Sequence, residues 1–170
     1  MSWAIAANEV IPSNLASYIL PAMQNLDAAL TAANLKINVS TAIATGILGV
    51  SFPASQGAFS DTSSADIVGT VRFLVWKRTP LLFDAMVDAQ VDHPDVSVVV
   101  SETGWPSTSG AIRAIGENAM MYHNKVVAHV TSSTRTPKRL GMAIETYLFA
   151  LFNENLKPAI VDQNYMGCIT

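Results

Sequence analysis

Val96 to Ser101 is a nearly continuous β-branched run that stops abruptly at a glutamate, Glu102. A run without polar alternation suits a strand buried on both faces, the environment of a parallel sheet covered by helices. The same ending occurs at the start of the chain. Trp3 to Ala7 is a short apolar run that stops at Asn8-Glu9 and reads as a buried strand with Glu9 at its C-terminal tip. After Ser13 or Asn14, either a good N-cap, apolar residues recur at Leu15, Ile19, Ala22 or Met23, Leu26, Leu30 and Ala33 with helical spacing. Pro21 falls inside that pattern and predicts a kink or a restart. The β-branched segment Lys36 to Ile43 follows closely, so residues 3 to 43 read as strand, helix, strand with a right-handed crossover. The fold class is α/β.

Gly46 to Ser64 is rich in Gly, Ser, Pro and Ala and reads as a long loop at the strand ends. A helix from Ala65 places Val68, Val71 and Leu74 or Val75 on one face and ends near Lys77-Arg78-Thr79-Pro80; another begins almost at once with Phe83, Met86, Val87, Gln90 and Val91. Only Pro80-Leu81-Leu82 lies between them, too short for a normal strand of about five residues plus its turns. Helical spacing returns at Ile115, Ala119, Tyr122, Val126 and Val130, and the polar loop Thr131 to Arg139 follows. Glu145 to Phe152 is a strand or a buried helix, which periodicity alone does not separate, and it ends in Asn153-Glu154-Asn155.

Composition removes several classes of function. The 170 residues are half hydrophobic and long enough for one sizeable core, so a single domain over 1–170 is expected. Net charge is −3 with no basic face, which argues against nucleic acid and anionic membranes and for an uncharged partner. No apolar run approaches the ~20 residues needed to span a bilayer. Residues 1 to 9 lack the basic start, apolar stretch and cleavage site of a secretory signal. One cysteine, Cys168, excludes an internal disulfide and reads as a frayed terminal thiol; His93, His123 and His129 have no acidic or cysteine partner at ligand spacing, so neither metal nor cofactor is expected. No Gly-x-Ser-x-Gly elbow is present, which leaves a serine-nucleophile α/β enzyme without support.

Three expected strands thus finish near acidic residues, Glu9, Glu102 and Glu154. In an α/β barrel all strand C-termini face one side, so such glutamates converge even when distant in sequence. Two converging carboxylates suit glycoside hydrolysis, in which one protonated acid assists the departing sugar oxygen and one carboxylate attacks or stabilises the anomeric centre. Their environments must push the two pKa values apart.

Asn8-Glu9-Val10, Ala22-Met23-Gln24-Asn25, Val39-Ser40-Thr41-Ala42, Phe52-Pro53-Ala54-Ser55-Gln56-Gly57, Val98 to Ser107 with its Ser-Glu-Thr-Gly-Trp-Pro-Ser block, and Phe152-Asn153-Glu154-Asn155-Leu156-Lys157 follow one another in order. Together they resemble the plant family 17 glycoside hydrolases, the endo-1,3-β-glucanases and their 1,3;1,4-β-glucanase relatives. The resemblance runs to about Asn164. It implies a retaining mechanism with Glu102 as nucleophile and Glu9 as acid/base, carboxyl groups about 5 to 5.5 Å apart, and a β-1,3-glucan polysaccharide or oligosaccharide as substrate. It further implies Asn8 on the sugar 2-hydroxyl, Trp105 and Phe152 as apolar walls against sugar rings, and Glu154 and Lys157 beside the site. Family members are secreted to the cell wall or held in vacuoles, which sets the expected location.

A full (β/α)8 barrel needs eight strands and typically about 250 residues, and this chain has room for about five strands. By the resemblance it is an incomplete TIM (β/α)8 barrel, roughly the fourth to eighth strand region with the sixth strand largely missing. Ala7 stands where the family has glycine before Asn-Glu, Leu140 and Met142 replace Pro and Lys in an Arg-Pro-Gly-Lys loop, and Asp162 stands where a glutamate is usual. Asn38-Val39-Ser40 is a glycosylation sequon inside an expected buried strand. Two functional readings stay open: an active retaining endo-β-1,3-glucanase, and a catalytically inactive truncated product with at most weak β-glucan binding.

Overall fold

The computed structural model describes residues 3–52, 56–83, 96–108, 112–132, 144–154, 156 and 166–168. The expected helix at Phe83 to Val91, His93, the loop segment with Leu140 and Met142, Lys157, Asp162 and Tyr165 lie wholly or largely outside these residues. The chain separates into two compact units, Met1–Val100 and Ser101–Thr170.

In the first unit, strand β1 (Trp3–Asn8) pairs in parallel with β2 (Asn38–Ile43), with Trp3 opposite Asn38 and an irregularity between Ile5 and Asn8. A 3-10 turn at Ala16–Tyr18 leads into helix α1 (Ile19–Ala32), which returns the chain from β1 to β2. Pro21 therefore sits in the first turn of α1, where the missing N–H is one of the donors a helix start leaves unpaired anyway. The restart expected at Pro21 occurs two residues earlier, and the α-helix then runs through without a break. Ile19 and Met23 are buried, Leu26 and Leu30 pack on the core, and Leu15 is exposed outside the helix.

After β2 the structure departs from the expected long loop. A second 3-10 turn (Thr45–Ile47) leads into β3 (Leu48–Val50), which pairs antiparallel with β4 (Ala58–Phe59), and helix α2 spans Asp61–Lys77, starting four residues before the expected Ala65. Strands of three and two residues are too short to show a period-2 signal. Helix α2 ends at Arg78, whose φ of 54° and N–H bonds to the Leu74 and Val75 carbonyls form a left-handed cap.

The segment that looked too short for a strand forms one. Strand β5 (Leu81–Phe83) is three residues long, fully buried, and parallel to both β2 and the first half of β6 (Val98–Thr103), with Ala42 opposite Leu82 and Phe83 opposite Val100. Flanking on both sides supplies its hydrogen-bond partners, so length within the strand itself is not needed. The Ser40 hydroxyl, fully buried, donates to the Pro80 carbonyl at 2.7 Å and ties β2 to the entry of β5. The sequon at Asn38 lies in β2, as expected. The core of this unit joins Ile19 and Met23 of α1, Val39 and Ile43 of β2, Ile67, Val71 and Leu74 of α2, and Leu81 and Phe83 of β5. Lys77 and Asp27 link α2 to α1 at 2.6 Å, both partly exposed.

The second unit holds the C-terminal half of β6, helix α3 (Gly116–Thr131) and β7 (Thr146–Leu148). Of the ambiguous stretch from Glu145 to Phe152, only Thr146–Leu148 forms a strand, and none of it is helical. Ala119 and Val126 of α3 are buried and Tyr122 half-buried, as the spacing predicted, whereas Ile115 lies before the helix and is exposed. Among the described residues no helix is long and apolar enough to cross a membrane.

Candidate active site

Asn8 and Glu9 belong to the first unit and are exposed. Asn8 closes β1, and Glu9 follows it with a left-handed φ of 53°. A non-glycine residue there stores on the order of 1–3 kcal/mol unless its surroundings fix it. They do: the Glu9 N–H donates to the Ala42 carbonyl at 3.1 Å, and the buried Thr41 hydroxyl donates to the Ala7 carbonyl at 3.0 Å. The Val39-Ser40-Thr41-Ala42 segment thereby serves Glu9 directly, since two of its residues hold the strand tip that carries it.

Glu102, Trp105, Phe152 and Glu154 belong to the second unit. Glu102 is half-buried and lies inside β6 rather than beyond its end. The strand extends because the Thr103 carbonyl accepts the Phe149 N–H at 2.8 Å, which prolongs pairing past the β-branched run. That bond also brings the Glu102 segment beside the chain leading from β7 to Phe152 and Glu154. The approach is tight: a side chain at Gly104 would drive its Cβ into the Phe149 carbonyl oxygen. Phe152 is 62% exposed and Glu154 half-buried. The neighbouring Asn153 side chain accepts the Gly167 N–H at 2.9 Å.

Trp105 is half-buried, and its indole N–H donates to the Arg113 carbonyl at 3.0 Å. Its ring lies against that of Tyr122, with centroids 5.6 Å apart. Trp105 and Tyr122, with Arg113, Asn118, Met121 and Lys125, line an open cavity of about 260 Å³. In the first unit, a cavity of about 310 Å³ lies close behind Glu9 in sequence, lined by Ile11, Pro12, Ser13, Ala16, Thr62, Ser63 and Asp66. Its hydroxyls and carboxylate can hydrogen-bond a neutral, hydroxyl-rich ligand.

Cys168 is not frayed. Its N–H donates to the Ala150 carbonyl at 2.8 Å, and its Sγ lies 3.8 Å from His123 Nδ1. Burial pushes the thiol up and the imidazole down, so both neutral forms are favoured and no thiolate–imidazolium pair results. Among the described residues no group of three or more potential ligands gathers to hold a metal ion. Nothing in the local sequence marks Thr41, Thr103 and Tyr122 as supports of the two glutamates. Tyr122 lay on the inward helical stripe, where a phenol reads as core; only its hydroxyl hinted at a buried partner.

A family model described as glycosyl hydrolases family 17 matches residues 1–93 and 81–169. A Hordeum vulgare relative is 39% identical over 94% of this chain and 64% of its own length. A Vitis vinifera protein named glucan endo-1,3-beta-glucosidase is 34% identical over 96% of this chain and 61% of its own. Among solved structures, that of CJP38, a beta-1,3-glucanase and allergen of Cryptomeria japonica pollen, superposes with a TM-score of 0.88 at 32% identity, covering 98% of this chain and 67% of that one. The chain therefore spans roughly three fifths of the length of the curated relatives it matches.

Proposed function

We propose a function for this chain from one premise: it belongs to glycosyl hydrolases family 17. On that premise the chain hydrolyses internal β-1,3-glucosidic bonds of a β-glucan by double displacement. The observation that carries the proposal is that Glu9 follows the last residue of β1 and Glu102 is the penultimate residue of β6, each at the C-terminal end of its strand, where α/β barrels keep their reacting groups.

A Glu102 carboxylate oxygen attacks the anomeric carbon as the bond to the leaving glucosyl oxygen breaks, and Glu9 gives that oxygen its proton. Water then loses a proton to Glu9, attacks the anomeric carbon and releases Glu102 with net retention. The pair requires carboxyl groups about 5–5.5 Å apart. Asn8 holds the 2-hydroxyl, Trp105 and Phe152 wall the sugar rings, and Glu154 and Lys157 complete the site. The relatives' printed names support the substrate class. The fold reading that goes with this is an incomplete (β/α)8 barrel, roughly its fourth to eighth strand region with the sixth strand largely missing. The expected location is the cell wall or vacuole, which fractionation of the tagged chain checks.

Incubation with soluble β-1,3-glucan, with products followed by reducing ends and by proton NMR of the anomeric configuration, tests the proposal. The β-anomer should appear first, and Glu102→Gln should abolish turnover without lowering the melting temperature. Full turnover by folded Glu102→Gln, or first release of the α-anomer, overturns it. One observation favours the second reading, an inactive truncated product with residual glucan binding. The alignment to the Hordeum vulgare relative runs 208 positions against a chain of 170, so that relative carries segments without a counterpart here. Absence of turnover without a cooperative thermal unfolding transition selects it, since an incomplete barrel should lack one.

A further inference from the structure

We propose that Tyr122 is a positioning residue for the Glu102 carboxylate, acting through Thr103 and Trp105; the inference rests on the reading of Glu102 as nucleophile. Strand β6 carries Glu102 and Thr103 on opposite faces, because side chains alternate along a strand. Whatever fixes Thr103 from behind therefore sets the angle at which Glu102 leaves the strand. Thr103 is 8% exposed and held twice. Its carbonyl accepts the Phe149 N–H, and its hydroxyl shares a hydrogen bond of 2.5 Å with the Tyr122 hydroxyl.

The same phenol controls the other flank. The Trp105 ring packs on the Tyr122 ring, and the indole N–H is committed to the Arg113 carbonyl. That carbonyl also accepts the Asn118 side-chain amide at 2.9 Å, one helical turn before Tyr122 on α3. Arg113 itself has a left-handed φ of 75°. A non-glycine residue holds such a conformation when its surroundings over-determine it, and three donors converging on one carbonyl, the third being the Ile115 N–H at 3.0 Å, do so here. One helix thus grips residue 103 by a hydroxyl and residue 105 by a ring, with Gly104 between them too closely packed on Phe149 to admit a side chain.

This arrangement suits a nucleophile better than it suits mere packing. Packing requires only the ring of Tyr122; the hydroxyl adds directional control of Thr103. Catalytic groups must be held within about 0.5 Å of their working geometry, and a misplacement of about 1 Å costs on the order of 100-fold in rate. Releasing Thr103 is expected to cost part of that factor at the chemical step and little in ground-state binding.

The test uses the full chain with soluble β-1,3-glucan. Tyr122→Phe keeps the ring on Trp105 and removes the hydroxyl. It should lower kcat by about 10- to 100-fold with KM changed less than about twofold, read well below the melting temperature so that the modest destabilisation from one lost part-buried hydrogen bond does not enter. Thr103→Val should give the same loss, Thr103→Ser should retain the parent rate, and the Tyr122→Phe/Thr103→Val pair should lose no more than either alone. Parent kcat in Tyr122→Phe, losses that multiply in the double variant, or a fall in kcat that only tracks unfolding overturns the proposal. Glu102→Gln run in parallel separates the two readings. If it abolishes turnover while Tyr122→Phe is unaffected, only the positioning role falls; if it retains turnover, or if the folded parent has none, the nucleophile reading falls and takes this one with it.

Discussion

Truncating Phe83 to alanine probes the element that sequence made hardest to credit, the three-residue strand β5. Phe83 is fully buried, lies opposite Ile43 on one side and Val100 on the other, and stacks on Phe59 with ring centroids 6.5 Å apart and planes 16° from parallel. Removing a phenyl ring from such a site costs about 3–5 kcal/mol through lost transfer energy and the cavity left behind. Against a total stability of about 5–15 kcal/mol this is a large fraction. With a urea m-value of about 2 kcal/mol/M, the unfolding midpoint should fall by about 1.5–2.5 M. Circular dichroism through a urea titration reads it, with Phe52→Ala as control, because Phe52 is 87% exposed and its loss should stay within about 0.5 kcal/mol. If both variants shift the midpoint equally little, Phe83 does not sit between β2 and β6, and the account of β5 as a structural strand fails.

Ser40→Ala removes the buried donor to the Pro80 carbonyl and should cost about 1–3 kcal/mol in the same urea assay, since it leaves that acceptor unpaired. Gly104→Ala forces a Cβ against the Phe149 carbonyl oxygen; the backbone must shift, so stability should fall by the roughly 1–3 kcal/mol of an overpacked core, with a matching fall in melting temperature by calorimetry. The Tyr147 hydroxyl donates to Glu145 at 2.6 Å; that hydrogen bond first, then burial and the carboxylate charge, raise the phenol above its usual value of 10.0. A group raised on folding contributes stability fully below its unfolded pKa and loses it as pH rises through the folded one. Tyrosinate absorbance at 295 nm should therefore show a Tyr147 midpoint above 10.0 that Glu145→Gln brings down, and an unchanged midpoint refutes the pairing.

Much of the first unit was legible because its elements carry strong periodic signals. Ile19, Met23, Leu26 and Leu30 repeat at helical spacing, and Val39, Ala42 and Ile43 lie in a β-branched run; both sets reach the core. The β3–β4 hairpin was not legible, since Leu48–Val50 and Ala58–Phe59 are too short to display any period. The early start of α2 left a usable trace in Ser60-Asp61, a helix-start pair with an acidic first turn. Strand β5 failed the length criterion because that criterion treats a strand alone, whereas its hydrogen bonds come from two neighbours. At the candidate site the Asn-Glu and Ser-Glu-Thr-Gly-Trp-Pro-Ser segments announced themselves by residue type. Their supports did not, since Thr41 and Tyr122 lie 32 and 20 positions from the glutamates they serve.

By itself, the order of amino acids determined the α/β class and the family and marked the two glutamates as candidates, because these depend on local apolar pattern and on short motifs readable residue by residue. Only tertiary structure decided how each glutamate is presented. The left-handed turn at Glu9 is held by Thr41 and Ala42, and the strand at Glu102 is prolonged by Phe149 and steadied behind by Tyr122. Those holds are hydrogen bonds between segments distant along the chain, and no local propensity encodes which distant partner a hydroxyl or a carbonyl will meet.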